Sequence, residues 1–366
     1  MTAVDTARRR SACLLAPGSA ADWATPTGGY RYDRQMVAAL RDAGWAIELR
    51  HLAGTWPWPD AAALAAAAAQ TAALADGTLV VADGLAFGVL DAVVAPQAER
   101  LRWVALVHHP LHLETGLDDT QRQQLHAREG RALQHARQVI VTSARTARDV
   151  AALGVAPERI AVVEPGTERP SAPPGPRRPG PVRLLCVATL TPRKGHALLL
   201  QALAELAGLA GPDCPDWELH AVGSPTRDPA TAAALVAQAR ATALAGRVHW
   251  HGEVDEATLQ AHYAAADLLV LPSLHEGYGM VVAEALAAGV PVLASSAGAL
   301  AQTLPAAAGW QVPPGDVPAL QAALARCIAD PALRARLAAG AAAAGRQLPD
   351  WPTQAARFSA VLDSVP

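Results

Sequence analysis

Lysine is nearly missing from this chain. Lysine and arginine together number 30 in 366 residues, and Lys194 is the single lysine among them. Aromatic residues make up 4% of the chain, and no stretch is a basic run. That combination excludes the charged and stacking footprint of a nucleic-acid binder, so no nucleic-acid partner is expected. No apolar run approaches the ~18–20 residues that span a bilayer. The opening ARRRSACLLAPGSA has the outline of a signal peptide, but its apolar part is only about six residues, below the ~7–15 required, and Pro17-Gly18 follows at once. Ala12 to Ala16 therefore reads as a first buried strand. The 4 cysteines, Cys13, Cys186, Cys214 and Cys327, lack metal-ligand spacing. Reduced thiols in a cytoplasmic protein are the expectation. No D-x-D pair occurs, Asp118 and Asp119 being adjacent in a polar stretch, so neither a metal nor a bound cofactor is expected.

What is present is apolar and nearly neutral: 51% hydrophobic residues and a net charge of -3. Two domains of about 170 residues suit this length. Apolar strands alternate with helical patterns throughout, which predicts an α/β protein with parallel, doubly wound sheets and ligands beyond the carboxyl ends of the strands. Prolines crowd residues 170–181, PSAPPGPRRPGP, too densely for a helix or central strand. The expected division is residues 1–169, this linker, a second domain over 182–347 and a final amphipathic helix over 348–366.

The most informative stretch runs from Leu271 to Ala297, LPSLHEGYGMVVAEALAAGVPVLASSA. A strand ends at Pro272, a turn follows, and a helix is predicted from about Tyr278 to Ala288, with Gly289 ending it in the left-handed conformation. Glu284 is the one charge in that helix, which predicts burial and a partner. Glu276 lies beside the helix N-terminus, whose free N–H groups favour an anion, and Gly277 and Gly279 let a ligand approach the backbone. A diphosphate carrying hydroxyl-rich groups would satisfy all of these features. Thr191-Pro192-Arg193-Lys194-Gly195 opens the first helix of this half. Two cations at a helix start make sense when an anion sits between them. A lone lysine in an arginine-biased chain points to a site that wants a compact ammonium.

In the first half, Gly28 and Gly29 fall at a strand-to-helix junction, as a phosphate-approaching loop requires. Strand WVALV delivers His108, His109 and Pro110 at its carboxyl end. Both histidines are candidates, and residues 111–136 read as a loop and a polar helix, with Glu114 and Thr115 near the loop.

The spacing of Glu276 and Glu284, with PS before it, G-x-G within it and G-x-PV after it, resembles the E-x7-E signature of retaining glycosyltransferases of family 4, which have the GT-B fold. The resemblance covers residues 184–330 closely and 1–170 loosely. It implies two Rossmann-like domains facing a cleft, with the C-terminal helix crossing back onto the first. It also implies a nucleotide-diphosphate sugar as donor, with no metal, and a small-molecule, glycan or lipid acceptor. A modest amphipathic surface leaves peripheral membrane contact open.

By the same resemblance, Glu284 binds ribose hydroxyls, Glu276 sugar hydroxyls, and the backbone of Gly277, Tyr278, Gly279 and Met280 the donor. Lys194 matches the family lysine at the leaving diphosphate. The family arginine falls at Thr189, so either Arg193 replaces it or the site lacks it. One of His108 and His109 contacts the donor sugar. Gly28 and Gly29 lie near the diphosphate, and Gly223, Ser224, Gly252 and Val254 near the nucleotide. Tyr30, Arg34, Glu114 and Thr115 are assigned to the acceptor side. A family motif, P-N-G-x-D, is replaced by Glu164 to Glu168, EPGTE. Two rivals share the fold, a sugar-nucleotide epimerase and a non-catalytic nucleotide-sugar-binding protein. The intact EGYGM and EALAAG series argues against the first, and loss of the arginine at Thr189 would favour the second.

Overall fold

The computed structural model describes residues 10–25, 27–169, 180–209, 216–241 and 243–366. The proline-rich linker lies almost wholly outside them, as does Cys214. The chain divides into two compact units, Met1–Gly166 with Asp350–Pro366, and Thr167–Pro349.

The first unit is built on β1 (Ser11–Pro17), β2 (Ala46–Leu52), β3 (Leu79–Asp83), β4 (Arg102–Val107), β5 (Gln138–Val141) and β6 (Ile160–Val162). They form a parallel sheet in the order β2-β1-β3-β4-β5-β6. The second unit carries β7 (Val182–Val187), β8 (Trp217–Val222), β9 (Val248–Gly252), β10 (Leu268–Leu271), β11 (Val292–Ser295) and β12 (Gly309–Val312). Its sheet is also parallel, in the order β12-β11-β10-β7-β8-β9. Helices cover the faces, so the central strands read as continuous apolar runs rather than alternating ones: β3, β10 and β11 are buried along their whole length. The direction of winding reverses between β1 and β3 in the first unit and between β7 and β10 in the second. Loops leaving the strands at such a reversal diverge to opposite faces and open a crevice at the carboxyl ends.

Local chemistry sets the helix starts. The helix Gly28–Asp42 begins where Thr27 accepts a hydrogen bond from Tyr30 N, and Asp118, Asp316 and Asp350 cap later helices in the same way. Gly28 and Gly29 thus lie in the first turn of a helix rather than in a loop before it, because Thr27 is the capping residue. Between β3 and β4 the helical segment is broken into Gly84–Phe87, Asp91–Val94 and a 3-10 turn Ala95–Gln97. Pro96 lacks the N–H needed to continue it. The helix after Glu276 runs Met280–Ala287, starting two residues later than expected because Gly279 takes a left-handed φ of 89°. The final helix, Trp351–Ser364, belongs to the first unit: Trp45 Nε1 donates to Ser359 Oγ at 2.9 Å, and the Trp351 and Tyr32 rings meet edge to face.

Candidate functional site

In the second unit, the loops leaving β7 and β10 meet at the winding reversal. The β7 loop forms a 3-10 turn, Pro192–Lys194, which ends on Gly195 at φ 72° before the helix His196–Leu209 starts. A side chain at Gly195 is impossible there, since a Cβ would sit 2.1 Å from Pro272 O in the β10 loop. Arg193 and Lys194 therefore precede the helix instead of opening it. Leu274 N donates to Arg193 O at 2.7 Å, and Arg193 Nη1 donates to His275 O at 2.8 Å, so the two loops are joined by main-chain and side-chain bonds.

Glu276 pairs with both cations. Lys194 Nζ donates to Glu276 Oε1 at 2.7 Å, Ser273 Oγ donates to the same oxygen at 2.7 Å, and Arg193 Nη1 lies 3.7 Å from Oε2. Glu276 is only 7% exposed. Burial alone would push its carboxyl up; the charges of Lys194 and Arg193 and the bonds from Lys194 and Ser273 outweigh burial and hold it down at about 2. Its main chain is fixed too: Ala299 N donates to Glu276 O at 2.8 Å, and Gly298, at φ 59°, lies against the same carbonyl.

The helix Met280–Ala287 starts on Gly279 with no side-chain cap, which leaves its first N–H groups to another partner. Glu284 is half-buried rather than buried, and Tyr263 OH donates to its Oε2 at 2.7 Å. Gly277 is half-buried and Tyr278 buried. On the neighbouring strand ends, Gly223 N donates to Gly252 O at 2.8 Å, and Leu190 N to Ser224 O at 3.0 Å. Ser224 is buried, with Oγ 3.0 Å from Thr226 Oγ1, and Val254 is half-buried in the β9 loop. Thr189 is half-buried at the end of the β7 segment.

The first unit holds a second ionic cluster at its own reversal. His108, just past β4, places Nε2 3.0 Å from Asp33 Oδ1 and 3.4 Å from Asp83 Oδ2. Burial opposes its charge, but the two carboxylates outweigh it and raise the imidazole to about 10. Burial pushes Asp33 up to about 7, while Asp83, also bonded by Leu85 N, is held below the usual carboxylate range. Tyr32 packs edge-on against the His108 ring, and the Gly29 Cα faces that ring closely enough that a Cβ would lie 3.2 Å from it.

The other first-unit candidates are held by different partners. His109 Nε2 is 3.4 Å from Glu114 Oε2, and Thr115 N donates to Glu114 Oε1. Tyr30 OH donates to Pro17 O, and Arg34 Nη1 donates to the carbonyls of Trp23 and Thr25. Tyr30 and Arg34 thus brace the segment before the helix Gly28–Asp42.

Sequence reasoning passed over Asp33, Asp83, Ser273, Tyr263 and Gly298. Asp83 had a signal, a carboxylate ending an apolar strand. Asp33 had another, a charge on the stripe shared by the buried Met36, Val37 and Leu40. Tyr263 had none, because its partner is 21 residues away on another helix.

Two family descriptions match the chain in tandem: "Glycosyltransferase Family 4" over residues 18–169 and "Glycosyl transferases group 1" over residues 181–330. The chain belongs to the group 1, family 4 glycosyltransferases. Among curated relatives of this family 4 chain, a phosphatidyl-myo-inositol mannosyltransferase from Mycolicibacterium smegmatis is 35% identical over 176 residues, 48% of this chain and 42% of the relative. A D-inositol 3-phosphate glycosyltransferase from Xylanimonas cellulosilytica is 36% identical over 171 residues, 46% and 38% of the two chains. The aligned stretch thus spans about two fifths of the length of these relatives. Among solved structures, the sucrose-phosphate synthase of Thermosynechococcus elongatus superposes with a TM-score of 0.76 at 23% identity, covering 97% of this chain and 98% of that one. HepE of Anabaena in complex with UDP and glucose gives 0.73 at 19% identity, covering 97% and 100%. At these identities the likeness concerns the fold, which is GT-B.

Proposed function

We propose that this family 4 glycosyltransferase moves a sugar from a nucleotide-diphosphate sugar to an acceptor hydroxyl, with retention of configuration and without a metal ion in the transfer. The observation that carries this reading is the ion pair of Lys194 with the buried Glu276 at the β7/β10 reversal. An ammonium and a guanidinium held beside a helix start without a side-chain cap form a site for a diphosphate. The donor phosphates would take Lys194 and Arg193 as partners, leaving Glu276, still bonded by Ser273, to accept from sugar hydroxyls. Glu284, oriented by Tyr263, would accept from the ribose.

Relatives support a nucleotide donor. One from Corynebacterium glutamicum is named as GDP-mannose-dependent, and HepE of Anabaena is solved with UDP-glucose. The acceptor is a hydroxyl-bearing small molecule, glycan or lipid, and the inositol compounds in the relatives' names make a polyol the first to try. No helix among the described residues is long and apolar enough to cross a membrane.

A thermal-shift screen of the protein with UDP, GDP, ADP and dTDP tests the reading, with Glu284→Ala alongside. A ligand at ~100 times its Kd stabilises the fold by about 2.7 kcal/mol. One nucleotide should stabilise the wild type far more than it stabilises Glu284→Ala, and its sugar should then support transfer with no loss of rate in EDTA. No stabilisation of folded protein by any nucleotide would overturn the proposal.

A further inference from the structure

Four of the 12 histidines converge on one face of the second sheet, at its β9 edge. β8 contributes His220, β9 contributes His249 and His251, and the period of two along a strand places these on a common face. The helix Glu256–Ala265 packs over that face and brings His262. The His220 and His251 rings are stacked, 7° from parallel, with His220 Nδ1 2.9 Å from His251 Nε2. The His251 and His262 ring centroids are 4.4 Å apart. One ring nitrogen from each of His220, His251 and His262 lies within 4.8 Å of the other two. These three histidines line a cavity of about 240 Å³ together with Arg183, Leu184 and Leu185.

We propose that His220, His251 and His262 bind a divalent transition-metal ion of the zinc type. A tetrahedral ion at ~2.0–2.1 Å from each nitrogen sets its ligands roughly 3.3 Å apart, so binding would draw together nitrogens that now lie within 4.8 Å of one another. Three neutral imidazoles select zinc, cobalt, nickel or copper over magnesium or calcium, which prefer oxygen. A carboxylate lies beside the far nitrogen of His220: Nε2 is 2.9 Å from Glu218 Oε1, close enough to become the outer partner such ligands use once the ring turns, and Arg183 Nε lies 2.8 Å from the same oxygen. A carboxylate there favours a proton on Nε2, so Nδ1 would exchange its contact with His251 Nε2 for the metal. The ion would tie the edge strand β9 to β8 and to the helix above, just before the Gly252–Val254 turn. It is separate from Lys194 and Glu276 and takes no part in transfer.

A competing set on the same face is Glu218, His220 and His249. The test therefore uses tag-free full-length protein, stripped with chelator and titrated with cobalt(II), then zinc(II). One equivalent of cobalt should give the visible bands of a tetrahedral site, stoichiometric zinc should displace it, and zinc should raise Tm by several degrees. His262→Gln and His251→Gln, each shown folded by circular dichroism, should lose affinity at least tenfold, while His249→Gln keeps it. Glu218→Gln should weaken binding ~10–100-fold at unchanged stoichiometry. No stoichiometric uptake by the wild type would overturn the proposal. So would wild-type affinity in both His262→Gln and His251→Gln, or loss in His249→Gln alone.

Discussion

Lys194 Nζ lies 2.7 Å from Glu276 Oε1, although 82 residues separate them in the chain. They meet because β7 and β10 are hydrogen-bonded neighbours at the point where the winding of the sheet reverses. In the proposed reaction the carboxylate would hold the ammonium in place until a more highly charged phosphate displaces it.

Replacing Lys194 by Ala should lower the transfer rate by ~10²–10³, the usual effect of losing one preorganised charge at a developing anion. Single-turnover rates beside nucleotide titrations check this. In the proposed reaction the charge would act mainly as the bond to phosphate breaks, so the rate should fall far more than affinity. An equal fall in both would assign Lys194 to ground-state binding. Arginine at this position should rescue little, since its planar fork differs in reach and shape from an ammonium.

Glu276 makes stability depend on acid. Its folded carboxyl sits at about 2, below the ordinary 4.5, so its contribution is complete above pH 4.5 and is lost as pH falls toward 2. The full span is on the order of 3 kcal/mol. Urea midpoints from pH 6 down to pH 2 should show the wild type above Glu276→Gln at the upper end, with the gap closing below pH 4.5. A gap that stays constant would mean that the ion pair is not what separates the two proteins.

The His108 cluster has the opposite sign. Its imidazole is raised to about 10 from 6.5, so its stabilisation is complete below pH 6.5 and is lost as pH rises through about 10. His108→Gln leaves Asp33 and Asp83 without a cation and should cost about 3–5 kcal/mol at neutral pH. Denaturation at pH 7, 8.5 and 10 should show that deficit shrinking with pH. A deficit unchanged at pH 10 would count against a charged His108.

Gly298→Ala probes the support under Glu276. A Cβ there would lie 2.2 Å from Glu276 O on a backbone at φ 59°, so Glu276 must shift. The expected loss is about 2–4 kcal/mol, read as a Tm drop of roughly 5–10 °C, with reduced transfer. Gly44→Ala is the control: its φ is 89° but no atom lies within 4 Å of the added carbon, so only the left-handed cost of about 1–2 kcal/mol remains. Equal effects at the two positions would show that contact with Glu276 does not matter.

Much of the architecture was legible in the chain because it depends on local patterns. Apolar runs alternating with helical periods implied two parallel sheets, since strand burial and helix amphipathicity are written in neighbouring residues. Glu276, Gly277, Gly279 and Glu284 were readable for the same reason: one turn and one helix contain them all. The lone Lys194 stood out by composition alone.

What local patterns could not carry was the partner of each charge. The sequence pointed to an anion between Arg193 and Lys194 but not to Glu276 as a partner that folding brings to them, because sheet order rather than chain order makes β7 and β10 neighbours. The same holds for Tyr263 at Glu284, for Asp33 and Asp83 around His108, and for the histidines shared by β8, β9 and the helix over them. Charges act over a few ångströms of space, and only the tertiary structure decides which residues are that close.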